Sequence, residues 1–551
     1  MKSETMDIKF DNKQRLQRIK DAKTKIFDLI IIGGGITGAG IALDAALRGL
    51  STLLVEKKDF AAGTSSKSTK LIHGGLRYLK QLEFGLVKET GLERAVAHQN
   101  IPHLVHPEKM LLPIVQKGTF NKFSAMLAIS FYDLLAKVPA NDRRQSYNKR
   151  KTLNLEPLLN PSILKSSIQY SEYRTDDARL TIELIKASRR EGADAFNYME
   201  VQDFIYTENQ VSGVKCIDGT TGEHYVFKGN QVVSAAGPWV DKLRVLDKSK
   251  NGKSLQLTKG VHIVLPKEKL PLNSSVYFDA FDGRMLFAIP RGKVTYVGTS
   301  DTNYEGNLDK IVCTTKDANY IIDAVNHMFE VNNLTISDIT STWAGLRPLI
   351  HEDGKSPSEL SRKDEIFISN TKLISIAGGK LTGYRKMAER IVDLVIKNNK
   401  TLPKVKCMTK NYKIHADSLV DYNAYEEYTK TLLSEDHKFT MTPYKAWYLA
   451  TNYGKNATEI IKMANSKSTV RSEALLAAEI EYCLRYESCY EPDDFFNRRS
   501  GRLYFDIESI YQNIDFIVKE FSNHFEWNPK TEEKMKAKSI KFIKEVSQIE
   551  D

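Results

Sequence analysis

Cysteine is scarce in this sequence. The five present (Cys216, Cys313, Cys407, Cys483 and Cys489) are odd in number and scattered, and no CxxC pair occurs among the 551 residues. That pattern excludes a disulfide framework and a zinc site, gives no reason to expect any other metal, and fits a reducing cytosol. Long hydrophobic runs are missing as well: none approaches the ~18 residues of a membrane span. Residues 1–26 are charged and have no apolar h-region, which excludes a secretory signal and leaves a flexible or helical leader. Arginine-rich blocks, RNA-binding signatures, internal repeats and low-complexity tracts are absent too, so nothing specific supports nucleic acid. The net charge of +11 then has two specific readings, an anionic membrane surface and an anionic substrate, beside the bland one of a lysine-rich exterior.

What is present is a globular composition, 41% hydrophobic and 27% charged, on a chain long enough for two or three domains. Its organising stretch is residues 27–56, FDLIIIGGGITGAGIALDAALRGLSTLLVE. Residues 27–32 fit a buried parallel strand, 36–47 a helix and 52–55 a second strand. Gly33, Gly35 and Gly38 stand between at GxGxxG spacing. The first permits a tight turn, the second lets backbone approach a pyrophosphate, and the third lets helix and strand pack closely. The helix N-terminus offers N–H groups and positive dipole to phosphate. Glu56, at the end of the second strand, suits a free ribose 2′-OH and so FAD or NAD over NADP. A bare glycine motif is weak, but here every part of its context falls in order.

Further along, small hydroxylated residues at 63–69 lead into His73, Gly74, Gly75, Arg77 and Tyr78, where backbone and hydroxyls can reach a cofactor. Residues 86–97 read as a helix. The apolar stripe at 120–136 reads as core rather than as a membrane contact. Asp176 suits the N-cap of a helix running to 191. Residues 198–226 alternate as antiparallel strands. QVVSAAGPWV (231–240) reads as a buried strand ending in a small-residue turn that closes over the adenine side. A strand over 257–266 carries His262, and 284–300 reads as a hairpin. WAGLRPLI (343–350) carries Arg347, and Arg362 follows. LISIAGGKLTGYR (373–385) again gives strand, glycine turn and helix N-terminus, suited to an anion or a flavin edge. These divisions predict a leader at 1–26, an oxidoreductase unit at 27–400, a lysine-rich linker at 401–416 and a separate helical domain at 417–551. In the last, RRSGRLYFD (498–506) is the conspicuous motif, its bland reading a solvated basic loop.

Taken together, DLIIIGGGITGAGIALDAALRG, TSSKSTKLIHGGLRYL, YRTDDARL, AAGPWV, LTKGVHIV, STWAGLRPLI and GGKLTGYRKMAE resemble, in order and over nearly the whole chain, the FAD-dependent aerobic glycerol-3-phosphate dehydrogenases, close to the α-glycerophosphate oxidases. The resemblance implies an α/β fold: a Rossmann-like FAD domain of the glutathione-reductase and D-amino-acid-oxidase type, an interleaved sheet-rich substrate domain, and an α-helical C-terminal domain. It implies oxidation of sn-glycerol 3-phosphate to dihydroxyacetone phosphate. The electrons then pass to a membrane quinone, or to oxygen in the oxidases. Oxidases commonly carry a mid-chain insertion that this sequence lacks. The implied place is cytoplasmic, peripheral at the inner face of the cell membrane, and a homodimer is left open.

By the same resemblance FAD would be held by Asp28, Ile32, Gly33, Gly34, Gly35, Ile36, Thr37 and Gly38, then by Glu56, Lys57, Thr64, Ser65, Ser66, Leu71, His73 and Gly74, and finally by Gly237, Gly379, Lys380, Leu381 and Thr382. The substrate would meet Arg77, Tyr78, Ser300, Arg347 and Arg362, since guanidinium forks suit a phosphate dianion. His73 and His262 are the two candidates for the base that takes the hydroxyl proton, with Arg347 and Lys380 completing the catalytic set. Lys380 has two readings, a cation at the flavin pyrimidine edge or a phosphate and backbone contact at a helix N-terminus. An amine oxidase of the same fold is the rival activity, and it would not need three arginines.

Overall fold

The computed structural model describes residues 8–73, 84–121, 143–350, 364–415, 421–435, 437–467 and 473–549, with the single positions 123, 126, 129, 130 and 419. Strands, numbered along the chain, form two sheets. The first contains β1 (Ile26–Ile32), β2 (Thr52–Val55), β7 (Asp194–Phe196), β8 (Met199–Thr207), β9 (Gln210–Asp218), β10 (His224–Ser234), β17 (Asp364–Ile368) and β18 (Ile374–Gly378). The second contains β3 (Leu71–Ile72), β4 (His106–Val115), β5 (Gln145–Asn148), β6 (Leu164–Arg174), β11 (Leu255–Pro266), β12 (Ser275–Asp279), β13 (Met285–Arg291), β14 (Val294–Gly298), β15 (Thr302–Asn303) and β16 (Ser341–Ile350). The chain thus leaves the first sheet for the second and returns, twice.

The first sheet has the order β17-β18-β10-β1-β2-β7, and its centre is parallel. A parallel centre must be covered on both faces, and the residues of β1 and β2 divide accordingly. Leu29, Ile31 and Leu54 pack among the helices Ile36–Leu47, Asp177–Arg190 and Tyr384–Asn398. Ile30, Ile32, Leu53 and Val55 pack on the opposite side against β8, β9 and the helix Arg15–Lys23. The charged leader is therefore structural from residue 8 onward: Ile19 and Ala22 are buried, and Arg15 pairs with Asp218 at 3.1 Å. The second sheet is antiparallel except where β12 runs parallel to β4. Asp176 does cap its helix, accepting from the Arg179 N–H at 3.1 Å. Most of the apolar stripe at 120–136 lies outside the described residues.

Two expectations for the C-terminal third change. Residues 401–415 lie against the nucleotide-binding unit, where Asn100 donates to the Thr409 carbonyl and the Ile414 N–H donates to that of Asn100. The helices beyond form the expected α-helical C-terminal domain, and its core is continuous with the second sheet. Leu449, Tyr453, Phe496 and Phe505 share one apolar cluster with Val264, Tyr296 and Trp343 of the second sheet.

The RRSG motif is not a solvated loop but a buried clamp. Arg498 and Arg499 end a π-helical turn, Asp494–Arg499, and both reach Asp59, just beyond β2. Arg499 is bidentate on the carboxylate at 2.6 and 2.9 Å, and Arg498 adds a third contact at 2.5 Å. Burial opposes ionisation of Asp59, but the two guanidiniums outweigh it and hold the carboxyl well below its usual range. Removing one member of such a cluster strands the other charges in a dry interior. Arg499→Ala is therefore expected to destabilise the fold by about 3–5 kcal/mol, read as a large drop in the thermal midpoint; an unchanged midpoint would refute the clamp.

Candidate active site

Where the chain crosses between the sheets, it encloses a cavity of about 860 Å³. Its walls come from both sheets: the turn after β1, the segment from β2 to β3, the turn after β10, the middle of β16, and the turn after β18.

The end at the first sheet is a cradle built by glycine. Gly33 has φ +115, and a Cβ on Gly38 would lie 1.9 Å from the Gly33 carbonyl oxygen, so neither accepts a side chain. Glu56 stands across the turn. Its carboxylate accepts from the Gly34 N–H at 2.7 Å and the Lys58 N–H at 2.9 Å. Burial raises its pKa while those N–H groups oppose the rise. Ser65 accepts from the Ile36 N–H at 2.9 Å, and the Thr64 hydroxyl donates to the Leu346 carbonyl at 2.7 Å, which moors the loop to β16. A strap from the second sheet crosses this end. Asp309 pairs with Lys57 at 2.7 Å and Lys58 at 3.0 Å, while the Lys57 ammonium lies 4.3 Å from the centre of the Trp239 ring.

Of the residues expected to hold a cofactor, Ile32, Gly33, Gly35, Ile36, Thr37, Glu56, Lys57, Thr64, Ser65, Leu71, His73, Gly237, Gly379, Lys380, Leu381 and Thr382 line the cavity. Gly34 and Gly38 shape the turn from behind, and Ser66 is buried in its short helix with its hydroxyl donating to the Gly63 carbonyl. Asp28 is a correction. It sits near the start of β1, at the end remote from the turn, and its carboxylate accepts from the Ser51 N–H at 2.9 Å. Gly74 lies outside the described residues, as do Arg77, Tyr78 and Arg362 of the expected clamp.

The end at the second sheet carries the reactive side chains. β11 and β16 pair with Arg347 opposite Thr258 and Gly345 opposite Gly260. A Cβ on Gly260 would lie 2.4 Å from Arg347 Nη2, so that glycine leaves space for the guanidinium. Arg347 donates to the Ser300 carbonyl, to Asp301 at 3.0 Å and to the Thr299 hydroxyl at 2.8 Å, and its side chain keeps 20% exposure toward the cavity. Ser300 also lines the cavity, its hydroxyl accepting from the Val261 N–H. His262 is 1% exposed, stacked 4.7 Å from Trp343, with Nε2 3.0 Å from the Thr69 hydroxyl. Burial first, then the charges of Arg347 and Lys70, push its pKa well below the usual value, so the ring is neutral. His73 is half-buried on the wall, and its carbonyl accepts from Thr382, tying β3 to the turn that carries Lys380. Sequence reasoning missed Asp301, Thr299 and Gly260, which fix Arg347; no local spacing marks them.

A glycine cradle with an acid at the end of the second strand, joined by one cavity to a wall of arginine and histidine, defines a dinucleotide-dependent oxidoreductase. The family model described as FAD dependent oxidoreductase matches residues 28–373, and that of the C-terminal domain of alpha-glycerophosphate oxidase matches 369–532. Aerobic glycerol-3-phosphate dehydrogenases of Staphylococcus aureus are 47% identical over 517 residues, 93% of each chain. The structure of glycerol-3-phosphate dehydrogenase from Bacillus halodurans complexed with FAD superposes with TM-score 0.83 at 39% identity, covering 98% of this chain and 99% of that one. The L-alpha-glycerophosphate oxidase from Mycoplasma pneumoniae shares the fold at TM-score 0.55 and 20% identity, over 70% of this chain and 98% of its own. The chain belongs to the FAD-dependent oxidoreductases and, among them, to the aerobic glycerol-3-phosphate dehydrogenase family.

The strap gives a prediction. Burial opposes ionisation of Asp309, but Lys57 and Lys58 prevail and set its pKa at about 2. A depressed carboxylate holds its partners above its ordinary pKa and releases them as pH falls through the lowered one. FAD release should therefore show no strap-dependent acceleration down to pH ~4, then quicken below it. Asp309→Ala should release FAD up to about fivefold faster at neutral pH, followed by flavin fluorescence after dilution; an unchanged release rate at low salt would remove the strap from the account.

Proposed function

We propose that this protein oxidises sn-glycerol 3-phosphate to dihydroxyacetone phosphate and passes the electrons to a membrane quinone. The observation that carries the reading is the course of one cavity, from a dinucleotide cradle at Gly33–Gly38 to the Arg347 guanidinium. The residues fit FAD: the Gly33–Gly38 contact leaves bare backbone for a pyrophosphate, and Glu56 stands where a ribose diol comes. Bound there, FAD supplies the acceptor for the hydride from the substrate's carbinol carbon.

The chain's own part is to bind, orient and move a proton. Arg347, held rigid by Asp301, Thr299 and the Ser300 carbonyl, presents fixed donors to an anionic substrate. Arg77, Tyr78 and Arg362 belong to the same proposed clamp. His73 is the better placed of the two histidines to take the hydroxyl proton, because its ring is half-buried on the wall whereas His262 is sealed between Trp343 and Thr69. His262 then acts as a neutral orienting group beside Arg347. Lys380, at the turn after β18, adds positive charge to the same wall.

Quinone as acceptor is favoured by the stronger likeness to dehydrogenases. No helix among the described residues is long and apolar enough to cross a membrane, which leaves a peripheral place at its inner face as the matching proposal. The second reading is the oxidase, for which the match of residues 369–532 speaks. Anaerobic addition of glycerol 3-phosphate should bleach the flavin band. Reoxidation mainly by a quinone analogue supports the dehydrogenase, rapid reoxidation by oxygen the oxidase, and a band that ignores the substrate overturns both.

Arg347→Ala should raise KM for glycerol 3-phosphate about 100-fold, the loss of one or two charge-assisted hydrogen bonds, with FAD retained; a normal KM refutes its role. Because His262 is held neutral, His262→Gln should leave the acid limb of the kcat/KM profile where it is above pH ~6. A shifted limb would make His262 the titrating base.

A further inference from the structure

The segment between β2 and β3 holds a cation that the reaction does not explain. Lys67 follows the short helix Thr64–Ser66 and lines the cavity. Its backbone is fixed: the N–H donates to the Thr64 carbonyl at 3.1 Å, Thr64 hangs on Leu346, and a Cβ on Gly345 would lie 2.7 Å from the Lys67 Cβ. Gly345 thus makes room for this lysine as Gly260 does for Arg347.

The electrostatics of Lys67 are one-sided. Burial lowers its pKa first, and then the positive charges of Lys58 and Arg498, bringing it to about 8. No carboxylate among the described residues opposes them. Three other buried or half-buried lysines do have such partners. Lys70 pairs with Asp177 at 2.5 Å, Lys186 lies 3.3 Å from both Glu183 and Glu487, and Lys259 pairs with Asp317 at 2.5 Å. Lys58 and Arg498 have Asp309 and Asp59. A half-buried ammonium with no carboxylate of its own among the described residues is stabilised when an anion comes to it.

Position chooses the anion. Lys67 stands two residues past Ser65, whose hydroxyl accepts from the Ile36 N–H at 2.9 Å and would lie 3.0 Å from a Cβ on Gly35, so its loop borders the helix N-terminus of the glycine turn. Lys67 therefore serves the nucleotide half of the cavity. We propose that Lys67 is the counter-ion of the cofactor's diphosphate, a direct cofactor ligand outside the glycine turn. In a dinucleotide turn of this kind the phosphates are met by N–H groups and helix dipole alone; here a full charge is added from the neighbouring loop. The assignment rests on FAD as cofactor and not on the identity of the substrate.

The test is made on the full-length holoenzyme by following FAD release after dilution. K67M should lose FAD at least about tenfold faster than the parent protein, the loss of a charge-assisted contact. K67R should stay within about threefold. Both should keep the visible spectrum of bound flavin and, at saturating FAD, the KM for glycerol 3-phosphate. Release from K67M at the parent rate overturns the proposal. So does a raised KM with unchanged release, which would give Lys67 to the substrate phosphate. Where K67M does not fold, amine acetylation of the parent chain read by mass spectrometry decides. ADP should protect Lys67 in the deflavinated chain, and riboflavin or glycerol 3-phosphate should not; protection by either of those alone, or none by ADP, is the contrary result. A parent flavin band that glycerol 3-phosphate fails to bleach removes the substrate while leaving this test intact.

Discussion

Asp59 is the point on which the architecture closes. It lies just past the strand that delivers Glu56, fully buried, with Arg498 and Arg499 from the far end of the chain. A buried carboxylate in that setting has no stable alternative to its partners. The loop that reads the nucleotide is consequently fixed by a domain that contributes nothing to the glycine turn. Similar charges repeat the device: Lys70 with Asp177, and Arg179 with Glu183 and Glu487. The first ties the loop before β3 to the helix Asp177–Arg190, and Glu487 ties that helix to the C-terminal domain.

The two sheets divide the work in a way that their materials explain. A parallel strand followed by a glycine turn presents helix N–H groups, which suits phosphate and ribose. An antiparallel pair such as β11 and β16 presents side chains at fixed register, which suits a guanidinium and an imidazole that must stay in place. Repeated crossing between sheets is what puts one beside the other. The walls of the cavity come from both sheets, so no single contiguous stretch could have supplied both ends.

Local features were legible in the sequence, and long-range ones were not. The helix at 36–47 and the strand at 52–55 have the bounds expected of them, because turn, cap and apolar pattern all lie within thirty residues. Arg347 was recognisable as a site residue from its motif. Asp301, which holds it from the segment between β14 and β15, and Gly260, which makes room for it in β11, carry no periodic mark. Asp28 belonged to the same motif yet serves the other end of β1, because a strand carries its two ends to opposite edges of the sheet. The RRSG segment looked like solvated charge because arginine usually is. Only the partner 440 positions away reveals otherwise.

That separation sets an order of events during synthesis. Asp59 leaves the ribosome early, and Arg498 is 439 residues behind it. At about 5–20 residues per second the interval is roughly 20–90 s. Through that time the nucleotide loop has its glycines and its acid but not the arginines that fix them. The loop that carries Glu56 is thus fixed late, when nearly the whole chain has emerged.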